Sequence, residues 1–245
     1  QKYKIHLAQF DGGNLSNAIP REAFCIIAIP SEQKDNILKI LQSLSNTIKN
    51  EFLINEPGLK IQIDSIMNPE KIIDKVTQAN MLNSLNACPH GVLEMSTRME
   101  GMVETSTNLA SVKFTGENTI IITTSQRSEV ESRKYYAADI VKSVFELAGA
   151  KVTNTESYPG WTPNPESKLL KIAAASYKKL FKTEPVIRSI HAGLECGLFL
   201  EKYPDLDMIS IGPTIKGAHS PDERLNIETV EKFWKHLKDI LEDIS

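Results

Sequence analysis

The stretch "GAHSPDER", residues 217–224, sets a histidine in a small-residue turn and follows it with Ser-Pro, two carboxylates and an arginine. With only five histidines in the chain, much of its possible chemistry turns on His219. It comes after the apolar run "DMISIGP", which reads as a strand, and functional groups of α/β sheets gather where strand C-termini give way to loops. A zinc ligand needs two or three protein partners, and no HxxxH, HxD or CxxC accompanies this one. A general base, or a plain loop imidazole beside solvated Asp222 and Glu223, fits the spacing as well. "HAGLECG" (191–197) is the second dense cluster. Cys196 at a helix start with His191 five residues back is the pattern of an activated thiolate, but a Cys between Leu194 and Leu198 is equally a small core residue. The glycines, Gly193 among them, let backbone N–H groups approach an oxyanion. Asn17 in "GGNLSNAIPRE" can hydrogen-bond its own turn. Arg127, closing "IIITTSQRSE", is either a solvated cation at a strand end or a bidentate donor to a substrate carboxylate.

The elements that must position these residues follow from periodicity. Alternation at Tyr3, Ile5 and Leu7 predicts a strand that stops at Gly12-Gly13. "AFCIIAIP" predicts a second strand, with the continuous apolar content of a buried one. Ser31 reads as the cap of a helix over about 32–52 with Ile37, Leu41, Leu44 and Ile48 on one face. "LKIQIDSI" alternates as a strand, and Asn68-Pro69 predicts the start of a helix carrying Ile72, Ile73 and Val76. Residues 90–126, rich in Thr, Val and Ile with breaks at Gly101 and 116–118, predict a β meander. A helix over about 129–148 stops at Gly149, and "KVTNTESY" returns as a strand. After the proline-rich "YPGWTPNPES", the pattern predicts helix 164–182, strand 185–190, helix 194–202, strand 206–212 and helix 227–243. Helices alternating with strands predict a parallel or mixed sheet. The expected organisation is an α+β part, 1–157, joined at the proline-rich linker to an α/β part, 158–245. Two strands are too few for a doubly wound sheet, so the rest of that sheet is expected upstream of residue 1. The opening "QKYKIHLAQFDGG" lacks Met and reads as strand interior, from which a fragment or processed chain is expected.

Composition bounds the class. The 245 residues are 41% apolar and 24% charged, with a formal net charge of −3 from 28 basic and 31 acidic side chains. Interspersed charge without a basic patch argues against a nucleic-acid partner. The longest apolar run, about "AFCIIAI", falls far short of the roughly 18 residues of a membrane span. Three scattered cysteines without a CxxC pattern suit a reducing, cytoplasmic compartment.

Four segments, "NAIPRE", "YPGWTPN", "IHAGLECGLF" and "DMISIGPTIKGAHSPDER", together resemble the aminoacyl-histidine dipeptidases. These Xaa-His or cytosol nonspecific dipeptidases belong to the clan of dizinc aminoacylases and carboxypeptidases. The resemblance implies an α/β zinc-peptidase catalytic domain interrupted by an α+β lid, rich in antiparallel strand, that mediates homodimerisation. It implies that His219 is the last zinc-binding histidine, with two zinc ions per complete site and cobalt or manganese as possible substitutes. It places Asn17 and Arg127 where lid residues reach the substrate, and Gly193 and Glu195, with His191 beside them, where a glycine turn lines the pocket. The family's HxD motif, bridging Asp, paired glutamates with the general base, and a further acidic ligand lie in an N-terminal half that this sequence does not contain. The lid also begins without the family's glycine- and histidine-containing segment. The chain is therefore expected to hold no catalytic base, to supply one metal ligand of about five, and to be inactive alone as the C-terminal half of a dipeptidase. Two other readings stay open: a non-catalytic dimerisation or assembly module, and a thiol hydrolase built on Cys196 and His191.

Overall fold

Side-chain oxygens start three of the helices, each at a residue whose short polar side chain can reach back to free N–H groups of the first turn. The computed structural model describes residues 3–116, 118–155, 161, 164, 166–188, 195–218 and 222–244, with Glu195 by its backbone only. The described residues form two compact units. The first consists of residues up to Leu15, Ile19–Ala87 and Ala110–Thr123. The second consists of Ser16–Ala18, Cys88–Leu109 and the chain from Thr124 on.

In the first unit, β1 (His6–Gly12) and β2 (Ala23–Ala28) form an antiparallel pair with a register shift between Leu7 and Gln9. Helix α1 (Lys34–Glu51) is preceded by a 3-10 turn at Ser31–Gln33, and no side chain caps either. Helix α2 (Lys75–Ala87) begins at Asp74, whose Oδ1 accepts from the N–H of Val76 at 2.9 Å and Thr77 at 3.0 Å. The Thr77 hydroxyl first, then the Thr77 and Val76 N–H groups, hold the Asp74 carboxyl below its ordinary range. The helix expected from Asn68 therefore starts at Asp74 instead. Asp74 takes the capping role, and the N–H of Ile73 goes to the Leu7 carbonyl at 2.9 Å. From α2, the buried Gln78 accepts from Leu7 N–H at 2.8 Å and donates to Ile5 O at 3.1 Å, so a side-chain amide completes the backbone pairing of β1. Leu7, Ile37, Met81, Ala110 and Val112 make the core of this unit.

The strands are ordered β2-β1-β4-β3, and β5 pairs with β4. Here β3 is Gly91–Met95, β4 is Val103–Thr115 and β5 is Thr119–Ser128, the meander expected over 90–126. Strand β2 lies at the sheet edge with Phe24 65% exposed, so its apolar run does not make it a buried strand. The second unit continues with α3 (Glu131–Leu147), which buries Ala137, Val141 and Phe145 and ends at Gly149, whose φ of +79° an L side chain rarely adopts. Helix α4 (Lys168–Phe181) is capped by Ser167, whose hydroxyl accepts from Leu170 N–H at 2.9 Å. It packs on α6 (Glu228–Ile244), itself started by Asn226, through buried Ala173, His236 and Ile240. His236 Nε2 lies 2.8 Å from Ala173 O, and the Lys179 ammonium meets Asp239 at 2.8 Å. Between these helices stand α5 (Glu195–Lys202) and the two-residue strands β6 (Ile215–Lys216) and β7 (Arg224–Leu225).

Helices mixed with an antiparallel sheet are the fold class expected. Four predicted strands differ. Residues 59–66, 151–155, 185–188 and 206–212 make no ladder among the described residues. Alternation marks a segment able to lie on a sheet, but a strand also requires a neighbour to take its N–H and C=O groups.

Candidate functional site

Strands β4 and β5 are fixed against each other by polar side chains as well as backbone. Gln126 donates to Thr107 Oγ1 at 3.1 Å, Thr105 and Ser128 hydroxyls meet at 2.9 Å, and Glu129 N–H donates to Glu104 O at 3.1 Å. These three contacts keep one register, and it sets Arg127 across from Ser106. Side chains alternate between faces along a strand. Thr105, Thr107, Gln126 and Ser128 therefore share one face, on which Thr105, Thr107 and Ser128 are buried. Arg127 and Asn108 share the other, as diagonal neighbours roughly 7–8 Å apart at Cβ.

Asn108 brings Asn17 to that same face. Its Nδ2 donates to Ala18 O at 2.8 Å and Ser16 O at 3.2 Å, gripping the two carbonyls that flank Asn17. Two carbonyl acceptors require the NH2 end of the amide, so the orientation of Asn108 is unambiguous. Its Oδ1 is buried and accepts no hydrogen bond among the described residues. Asn17 is exposed and Arg127 half-buried. Among the described residues neither side chain has a hydrogen-bond or ion-pair partner. Arg133 is different: its guanidinium pairs with Glu94 at 3.3 Å. A half-desolvated guanidinium with no partner among the described residues offers donors to a carboxylate.

Behind Arg127 the strand end is held by a buried polar cluster. The Glu129 carboxylate is 1% exposed and accepts from Ser96 Oγ at 2.6 Å, and Ser128 Oγ accepts from Val130 N–H at 3.0 Å. The nearly buried Lys134 ammonium meets Glu131 at 2.7 Å. Buried charge of this kind is tolerated only when bonded, and the bonds make the end of β5 a rigid platform.

The loop of His219 is known through its stem. Antiparallel pairs Ile215–Leu225 and Lys216–Arg224 close its base. Below them Asn226 N–H donates to Thr214 O at 2.9 Å, and Thr214 N–H to Thr229 Oγ1 at 2.8 Å. Gly217 turns the chain with φ +65°. The segment leading in is anchored by Asp207, whose carboxylate accepts from Leu169 N–H at 3.0 Å in the first turn of α4. That bond first, then the Ser167 hydroxyl, holds the Asp207 carboxyl below its ordinary range. His219, Gly193 and His191 lie outside the described residues, as does the side chain of Glu195, whose backbone opens α5. Cys196 follows in the first turn of α5 and is partly exposed. Among the described residues no three His, Cys, Asp or Glu side chains group as a metal site requires. No described helix is long and apolar enough to cross a membrane.

The structure thus brings two of the expected residues, Asn17 and Arg127, to one sheet face. Reading the sequence missed Asn108, Glu129 and the Thr105–Ser128 pair. For Thr105 and Asn108 the local signal is the unbroken polar run "ETSTN" within β4; Ser128 and Glu129 have none.

Comparison with known proteins gives a family model, "Peptidase family M20/M25/M40", that matches residues 16–243. The chain is 39% identical over 244 residues to the cytosol non-specific dipeptidase of Escherichia coli (strain K12), which covers all of this chain and 50% of that protein. Its structure is similar to that of aminoacylhistidine dipeptidase from Vibrio alginolyticus, with a TM-score of 0.84 and 39% identity, over 99% of this chain and 49% of that one. The chain therefore spans about half the length of the relatives it matches.

Proposed function

Because the chain belongs to the peptidase family M20/M25/M40, we propose that it contributes the lid, the substrate-carboxylate anchors and one metal ligand of a cytoplasmic, zinc-dependent dipeptidase. The observation that carries this reading is that Arg127, without a partner among the described residues, shares a strand face with Asn108, which clasps the Asn17 turn. In this reading Arg127 takes the free carboxylate of a dipeptide with two parallel N–H bonds, and Asn17 donates to a carbonyl or carboxylate oxygen. Holding that end of the substrate is a contact made in the ground and transition states alike, so it acts through KM.

The described residues do not make a metal site by themselves. The reading gives this chain His219 as a single ligand, in a loop whose stem is pinned at both ends. The other ligands and the glutamate base fall to the part that the relatives carry beyond the match. Zinc, when bound, polarises the scissile carbonyl and lowers the pKa of bound water. Residues 1–157 form the lid and 158–245 the closing piece of the catalytic domain. This division is supported by the unladdered segments 185–188 and 206–212 and by the exposed apolar stripe of α6, where Trp234 is 58% and Leu241 57% exposed. Strands without neighbours and a helix with an open apolar stripe suit one part of a larger α/β layer.

The test is dipeptide hydrolysis by the full-length protein under two inhibitors. The expected result is loss of activity with EDTA and none with iodoacetamide. Loss with iodoacetamide alone would replace zinc by a thiol at Cys196, and absence of hydrolysis altogether would leave an assembly module.

A further inference from the structure

We infer that Asn108 is a positioning residue for Asn17, an assignment that rests on the substrate-binding reading above. The loop between β1 and β2 runs from Gly13 to Glu22 and is closed at its base by Gly13 N–H donating to Glu22 O at 3.2 Å. Asn17 sits in the middle of this loop, exposed. A loop of this length closed only at its base samples many conformations, and an exposed asparagine at its tip cannot hold a substrate group within the few tenths of an ångström that catalysis needs.

Asn108 removes that freedom. One nitrogen with two hydrogens forks onto the carbonyls of Ser16 and Ala18, the residues on either side of Asn17. The Ser16 carbonyl belongs to the peptide plane that enters Asn17 and the Ala18 carbonyl to the plane that leaves Ala18, so the two bonds tether the chain on both sides of Asn17 and narrow the directions open to its Cα–Cβ bond. Asn108 stands on β4, whose register is locked by the Thr107–Gln126 and Thr105–Ser128 bonds. The Asn17 turn is thereby referred to the same rigid ladder that carries Arg127. An oxygen at that fork would meet two carbonyl oxygens, so only the amide end serves. The buried Oδ1 without a partner marks the cost of retaining an amide there.

The inference predicts that Asn108→Asp, isosteric but with an acceptor in place of the NH2 group, acts on substrate through Asn17, and that Asn108→Leu, which lacks the NH2 group and brings no carboxylate toward Arg127, gives the same result. The experiment is a double-mutant cycle in the full-length protein with Asn17→Ala, Asn108→Asp and the pair, reading kcat and KM for a dipeptide. Hydrogen exchange of residues 14–19 and the melting temperature are read on the same samples. Asn108→Asp is expected to raise exchange at 14–19 and to lower kcat/KM roughly 10- to 100-fold, with no further loss in the Asn17→Ala background. Unchanged exchange at 14–19 would overturn the clasp itself. Losses that multiply in the double variant would make Asn108 a general structural residue and overturn the assignment. Raised exchange together with a silent Asn17→Ala would instead overturn the substrate role of Asn17, and the positioning role would fall with it.

Discussion

Replacing Arg127 by alanine tests the proposal that its guanidinium takes the substrate carboxylate. Its guanidinium is half-buried and, among the described residues, unpaired. Its strand is pinned by three bonds in register, so it is held in place before substrate arrives. A charge-assisted pair of this kind is worth about 2–3 kcal/mol, or roughly 30- to 150-fold in affinity. A solvated strand-end cation would instead cost less than about 0.5 kcal/mol. The assay compares a dipeptide with the same dipeptide capped as its C-terminal amide. Arg127→Ala in the full-length protein is expected to raise KM for the free acid by the larger factor and to leave the amide nearly unchanged. The kcat should hold for both, since the contact is made in ground and transition states alike. Arg127→Lys should recover part of the loss, because an ammonium keeps the charge without the two-pronged geometry. Equal losses on acid and amide would refute the reasoning.

The remaining predictions concern the scaffold. Gly13→Ala would place a Cβ 1.9 Å from the Ala110 carbonyl oxygen at φ +61°; a cost of about 2–5 kcal/mol should appear as a melting temperature lower by about 5–15 °C. The Asp239 carboxyl is held below its ordinary pKa of 3.8, first by the hydrogen bond from Lys179. A depressed folded-state pKa stabilises above the ordinary value and ceases to as pH falls through the folded one. The melting-temperature gap between wild type and Asp239→Asn should therefore be full at pH 7 and close in the acid range below about pH 4. The lid is expected to form a homodimer, consistent with the exposed edge strand β2 and its Phe24. Light scattering of the full-length protein at tens of micromolar should give twice the chain mass, and a strict monomer would count against it.

Much of the fold was legible because local signals and tertiary structure agree. Gly149 stops α3, and the Thr- and Val-rich stretch 90–126 forms the β meander. Where they disagree, a partner decides. Asn68-Pro69 had the look of a helix start, but the backbone of residue 73 goes to β1 and Asp74 does the capping. "AFCIIAIP" had the content of a buried strand, but its place at the edge is set by strand order, which composition does not encode. The site divides in the same way. Arg127 and Asn17 stood out by type and by place at a strand end and in a turn. Asn108 did not, because its role is a grip on carbonyls about 90 residues away, and nothing in its sequence neighbourhood records that contact.

The central claim is that this chain gives a two-metal dipeptidase a single ligand, His219. The most direct measurement is the metal content of the full-length protein, wild type against His219→Ala, with dipeptide hydrolysis read on the same preparations. The account predicts two zinc ions per chain in the wild type and about one in the variant. Hydrolysis should fall by several orders of magnitude at a near-normal melting temperature, because the pairs Ile215–Leu225 and Lys216–Arg224 that close the stem do not involve the substituted side chain. Unchanged zinc content with near-normal activity would contradict the account.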